Sequence, residues 1–189
     1  MINNEIQNKN LSLFFDKLKQ VGVDTTQMES ELSESLFNAP FTNLNDHGMA
    51  FDGSLLHIVL RTFTPYALKL NDLLPENIKV ETNTLIKVCL LSQLAKAKMF
   101  IPNDNTWEVN NRAMPYKFAP SDVSLRTGIK SLLLSQQMGV TFTEQEVDAM
   151  TILDRDQDLQ AKYFATPIAT IIKQAYELTV LQFKNQNKK

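Results

Sequence analysis

Thr84-Leu85-Ile86-Lys87-Val88-Cys89-Leu90-Leu91-Ser92-Gln93-Leu94-Ala95-Lys96-Ala97-Lys98-Met99 is the most apolar stretch of the chain. Leu85, Val88, Cys89, Leu91 and Leu94 are spaced helically and cover more of a helix's circumference than a single stripe would. Asn83 or Thr84 stands where a cap would start this helix. A helix that is apolar on most sides has to be surrounded by others, so the pattern predicts a mainly α domain with this segment at its centre. Lys87, Ser92, Gln93, Lys96 and Lys98 interrupt the run, which excludes the roughly 18 consecutive apolar residues of a membrane span.

On its N-terminal side, Asp52 is placed to cap a helix carrying Leu55, Leu56, Val59, Leu60 and Phe63. Pro65 bends or interrupts that helix, because proline lacks the amide hydrogen and clashes with the preceding turn. Further out, Leu11, Phe14, Phe15, Leu18 and Val21 predict a helix closed by Gly22. Thr26 with Glu29 has capping-box spacing ahead of a more acidic helix that Pro40 stops.

On the C-terminal side, Pro102, Pro115 and Pro120 forbid a long helix, while Trp107-Glu108-Val109 and Tyr116-Lys117-Phe118 alternate apolar with polar. The expectation is a short β-hairpin turning at Asn110-Asn111, anchored to the helical core by Trp107. Ser121-Asp122 then opens a helix through Met138, with Gly139 as its stop. Thr143 and Glu146 form a second capping-box signal, and Pro167 starts a last helix that turns Ile168, Ile171, Ile172, Ala175 and Leu178 inward. The expected organisation is an N-terminal helical arm over residues 1–45 and a helical domain over 46–189, together one compact unit.

Composition narrows the function. The chain has 189 residues, 43% of them apolar, which is enough for one self-sufficient core without disulfides or structural metal. Nineteen basic residues stand against 21 acidic ones, so no global charge steers the chain to nucleic acid. A polar N-terminus without an apolar signal core indicates an unexported protein. Five glycines are too few for Gly-rich phosphate loops or turn-dense β-sandwiches. The single cysteine, Cys89, excludes an intramolecular disulfide and any multi-thiolate zinc site, and its apolar helix implies a buried, unreactive thiol. His47 and His57 fit no compact ligand pair and are expected to be structural. Asp154, Asp156 and Asp158 open like a calcium loop, but Leu159 and Ala165 replace the glycine and the bidentate glutamate that the loop requires.

Five short segments follow one another in a meaningful order: Phe51-Asp52-Gly53-Ser54-Leu55-Leu56, Leu90-Leu91-Ser92-Gln93-Leu94-Ala95-Lys96, Arg126-Thr127-Gly128-Ile129-Lys130-Ser131, Gly139-Val140-Thr141-Phe142-Thr143-Glu144-Gln145-Glu146 and Pro167-Ile168-Ala169. Their order and spacing, from about Asp46 to Phe183, resemble the HD-domain phosphohydrolases of bacterial and bacteriophage type. Trp107 and Tyr116-Lys117-Phe118 fall where that family carries an inserted hairpin. The resemblance implies an HD-like helical bundle with an N-terminal arm and a small β-hairpin.

It also implies that the metal centre of the family is lost. Ile58 falls at the first histidine position, with His57 beside it, and Ser92 and Gln93 fall at the His-Asp doublet. Thr127 and Leu153 replace two pocket histidines, and Tyr176 replaces the late aspartate. Such a set holds no divalent ion, so no metal or cofactor is expected and the chain is expected to be a pseudoenzyme. Lys96 and Lys130 persist at family positions, and with Arg126 they are the candidates for a residual anion pocket, against the competing expectation of solvated surface lysines. The function implied is structural: a homo-oligomer or part of a multi-protein assembly such as a phage virion, cytoplasmic or in the virion, without a membrane partner. The alternatives are a non-hydrolytic nucleotide or phosphate sensor and, behind it, an active metal-dependent phosphohydrolase with an unfamiliar site. The arm, Leu11 to Phe37, and the Trp107 hairpin are its expected contact surfaces.

Overall fold

Helix α5 (Thr82–Leu91) is the centre of the molecule: Leu85, Val88, Cys89, Leu90 and Leu91 are all buried beneath surrounding helices. The structure is a computed structural model that describes residues 2–45, 47–155 and 166–186. Around α5 lie α1 (Asn4–Gln20), α4 (Thr64–Asp72), α8 (Thr127–Gln137) and α9 (Glu144–Thr151). Helix α2 (Thr26–Asn38) packs on α1, on α3 (Ser54–Ile58) and on α6 (Lys96–Met99), and the long α10 (Pro167–Gln186) covers α4 and α9. The mainly helical class read from the sequence is observed. Among the described residues, no helix is long and apolar enough to cross a membrane.

Several boundaries differ from the periodicity, each for a local reason. Glu81, rather than Asn83 or Thr84, caps α5, its carboxylate accepting the amides of Asn83 at 2.9 Å and Thr84 at 2.6 Å. The helix does not run on to Met99. From Leu94 to Lys98 the amides of Leu94, Lys96, Ala97 and Lys98 reach back only three residues, and Ala95 donates instead to the buried Ser131 Oγ of α8 at 3.0 Å. Pro65 neither ends nor breaks its helix: α3, a wide π-turn over Val59–Phe63 and α4 are continuous. The Thr64 amide reaches five residues back to Val59, and this wider turn accommodates the ring that follows. Gly53, not Asp52, is the N-cap residue of α3. With φ +77° it adopts a left-handed conformation, and a Cβ there would lie 2.6 Å from Gln7 Nε2, so glycine lets α1 approach closely. Asp52 instead accepts the Tyr116 hydroxyl at 2.7 Å.

The expected strand Tyr116–Phe118 is observed, but its partner is Phe100–Pro102 rather than Trp107-Glu108-Val109, and Asn110-Asn111 is helical rather than the turn. β1 (Phe100–Pro102) pairs antiparallel with β2 (Tyr116–Phe118), Phe100 opposite Phe118. Between them, Trp107-Glu108-Val109 belongs to helix α7 (Thr106–Arg112), which Asn105 caps by accepting the amides of Trp107 and Glu108. Trp107 is 57% exposed, its ring 5.0 Å from the Arg112 guanidinium, and it anchors nothing to the core. Helix α8 begins at Thr127, and Ser121-Asp122 lies in the irregular segment before it.

One hydrophobic core draws on both sides of the boundary between residues 45 and 46. Phe14, Leu18, Met28, Leu32 and Leu36 join Leu55, Ile58, Leu91 and Ile172 in the same cluster.

Candidate functional site

The positions that the family resemblance singles out descend from different elements into the interior. Ile58 ends α3 and is fully buried. Ser92 and Gln93, in the tight turns after α5, are buried too, and the Ser92 hydroxyl donates to its own helix at the Cys89 carbonyl, 3.3 Å away. Thr127 is half-buried with its hydroxyl directed at Met99 Sδ, and Leu153 packs against the core from a 3₁₀ turn, Ile152–Asp154. Tyr176 comes from α10 and is half-buried.

What gathers at Tyr176 is an aromatic box around a lysine. Lys96, 6% exposed, places Nζ 3.6 Å from the Phe41 ring centroid and 5.7 Å from that of Tyr176. Phe41 stacks on Tyr176 at 5.9 Å, and Phe63 meets Tyr176 edge-on at 6.2 Å. Among the described residues the Lys96 amine has neither a carboxylate nor a hydrogen-bond partner. Burial brings its amine down to about 7, while the ring faces favour its charged form. Burial also raises the Tyr176 phenol and the Cys89 thiol, so both stay neutral and unreactive at ordinary pH. Such a box solvates one ammonium with π-faces. It does not suit a divalent ion, which needs carboxylates or several imidazoles and would be repelled by the amine. Among the described residues no three His, Cys, Asp or Glu side chains come together in a metal-binding group. Asp156, Asp158, Leu159 and Ala165 of the calcium-like stretch lie outside the described residues.

No family model, curated protein or solved structure matches the chain.

The three anion candidates have three different surroundings. Lys96 is inside the aromatic box, not solvated at a helix surface. The Arg126 guanidinium donates to the Asp154 carbonyl, and Lys130 lines an open groove beside β2. The His57 ring lies 6.3 Å from Phe51, and its buried Nδ1 has no hydrogen-bond partner among the described residues. Burial first, and then the nearby Arg61 charge, lower its pKa, so it is neutral. His47 is half-buried in the loop before α3.

Phe41 and Phe63 are the members of the box that sequence reasoning misses. Phe63 reads as one more core residue of its helix, and Phe41 stands in a loop after Pro40 where no periodicity marks it. The available signal is Lys96 itself, one of three lysines that interrupt the most apolar stretch of the chain.

Proposed function

We propose that this chain is a non-catalytic, HD-like helical protein that acts by protein contact, as an oligomeric component of a larger assembly such as a phage virion. The observation that carries the proposal is the Lys96 box. Where the resemblance puts the late metal ligand, Tyr176 packs against Phe41 and Phe63, and the neighbouring cation is the chain's own ammonium. A fold whose reactive centre is filled by its own side chains keeps its shape and its surface to act with. The resemblance to bacteriophage-type HD proteins supports the assembly part of the reading.

A non-hydrolytic phosphate sensor built on Lys96, Arg126 and Lys130 has less support, since Lys96 is enclosed by rings and Arg126 is engaged by a carbonyl.

Light scattering and plasma mass spectrometry on the same sample of the full chain, followed by a phosphoester hydrolysis panel with and without added manganese, test the proposal. The expected result is a metal-free oligomer without turnover. A monomer that carries near-stoichiometric manganese, iron or nickel and hydrolyses phosphoesters overturns it.

A further inference from the structure

We propose that the groove between β2 and α8 docks a short acidic segment of a partner protein, one that carries two or three apolar side chains. The inference rests on the reading of this chain as a contact protein and names the chemistry of one partner.

The groove is an open cavity of about 300 Å³, lined in part by residues of the irregular segment 119–126. Its walls are Phe118, Val123, Leu125 and Leu133, all exposed, with Phe118 61% and Val123 57% accessible. Exposed large apolar side chains are ordinary when scattered, but here four of them line one concavity. The volume is at the small end for ligand sites and holds a few side chains. The walls remain accessible beyond the cavity itself, which suits an extended chain better than an enclosed small molecule.

Charge selects the partner. Lys98 and Lys130 stand in the lining, and no Asp or Glu does. Neither side-chain amine has an ion-pair or hydrogen-bond partner among the described residues. The neighbouring acids are used or lie outside the lining. Asp154 accepts the Ile129 amide at 2.8 Å, Asp104 holds Lys117 at 2.5 Å, and Asp122, exposed in the segment before α8, is not a lining residue. Two unpaired ammonium groups beside an apolar floor complement carboxylates that flank apolar residues. A second copy is disfavoured by the same feature, because a two-fold contact through this groove would set the lysines of one copy against those of the other. A nucleotide would find few polar groups in the walls to read its base.

Panning a displayed library of short random peptides against the full chain tests the proposal, with fluorescence anisotropy of the most enriched sequence as the quantitative step. The enriched peptides are expected to be acidic with spaced apolar residues. Affinity is expected to fall about tenfold or more in the double variant Lys98→Glu, Lys130→Glu, and in Leu133→Glu, and to weaken as salt rises. All three positions are open to solvent or to the groove, and matching circular dichroism melts show that the variants fold. Enrichment of basic or neutral peptides, binding unchanged in the double variant, or occupation by dodecanoate with no peptide enriched would each sink the idea. So would self-association that Leu133→Glu abolishes. Metal-dependent hydrolysis by the parent chain overturns the functional reading in a separate assay, whereas loss of peptide selectivity in an inert, metal-free chain overturns the groove alone.

Discussion

Lys96 holds its amine 3.6 Å from the centre of the Phe41 ring with no carboxylate among the described residues to meet it, and that sets two opposing effects against each other. Cation–π attraction to a desolvated ammonium gives about 2 kcal/mol, while taking a lone ammonium out of water costs several. Desolvation wins, so the amine lies at about 7 in the folded chain, against roughly 10.4 when unfolded. Between those values the unfolded chain binds more protons, and stability therefore rises with pH from about 7 towards 10. Below about 7 both forms are charged and the full cost persists. Lys96→Met keeps the length of the side chain and removes the charge. It is expected to stabilise the protein by about 1–3 kcal/mol at neutral pH, with the gain shrinking as pH rises towards 10. Urea denaturation of both proteins across that range measures it, and a gain that is absent or independent of pH would mean that the amine is hydrated. The sequence shows Lys96 as one of several polar interruptions of an apolar stretch, along with Lys87 and Lys98, and says nothing of its surroundings. Phe41, Phe63 and Tyr176 are far apart in the chain, and their meeting is a property of the packed bundle.

At the scale of elements, two identical signals had different fates. Thr143 and Glu146 form the capping box that their spacing predicts, the Glu146 carboxylate accepting the Thr143 amide at 2.8 Å. Thr26 and Glu29 have the same spacing and do not, because Asp24 takes the Thr26 amide and Glu29 turns to Thr25 and Lys19. A neighbour one or two residues away decides between them, which is why short-range chemistry is only partly legible. The strands show the same limit. Three alternating residues are too few to separate strand from helix, and the Asn105 cap makes Trp107-Glu108-Val109 helical. Glu146 does more than cap, since its carboxylate also holds Lys87 of α5 at 2.8 Å in a buried pair. Lys87 in turn donates to the Thr141 carbonyl at 2.8 Å and lies over the Phe142 ring. Glu146→Ala removes the carboxylate half of the capping box and leaves a largely buried ammonium without its counter-ion, and should cost about 2–4 kcal/mol. Adding Lys87→Met should recover part of that loss, because no unpaired charge remains. A double-mutant cycle in urea reads the coupling, and strictly additive losses would show that the pair is hydrated and weak.

For the molecule as a whole, the open question is whether the first two helices are an attachment or a part of the core. Phe14, Leu18, Met28, Leu32 and Leu36 are each at most 1% exposed, and they pack into the same cluster as Leu55, Ile58 and Leu91. Burying one such side chain stabilises a fold by about 1.5–3 kcal/mol, so the five together rival the roughly 5–15 kcal/mol by which a whole domain is stable. Polar contacts cross the same interface: Arg61 donates to Asn10 at 3.4 Å, and α1 leaves no room for a side chain at Gly53. Removal of residues 1–45 would expose the α3 and α6 faces that α2 covers, along with the α3 and α5 faces under α1. The fragment 46–189 is therefore expected to lose its cooperative thermal transition and to bind a hydrophobic dye, while the full chain melts in one step. Near-ultraviolet circular dichroism through a thermal ramp, run on both, checks this. A sharp transition with a native-like spectrum in the fragment would show that residues 46–189 possess a sufficient core of their own, and would free the first two helices, inner faces included, to serve as a contact arm in an assembly.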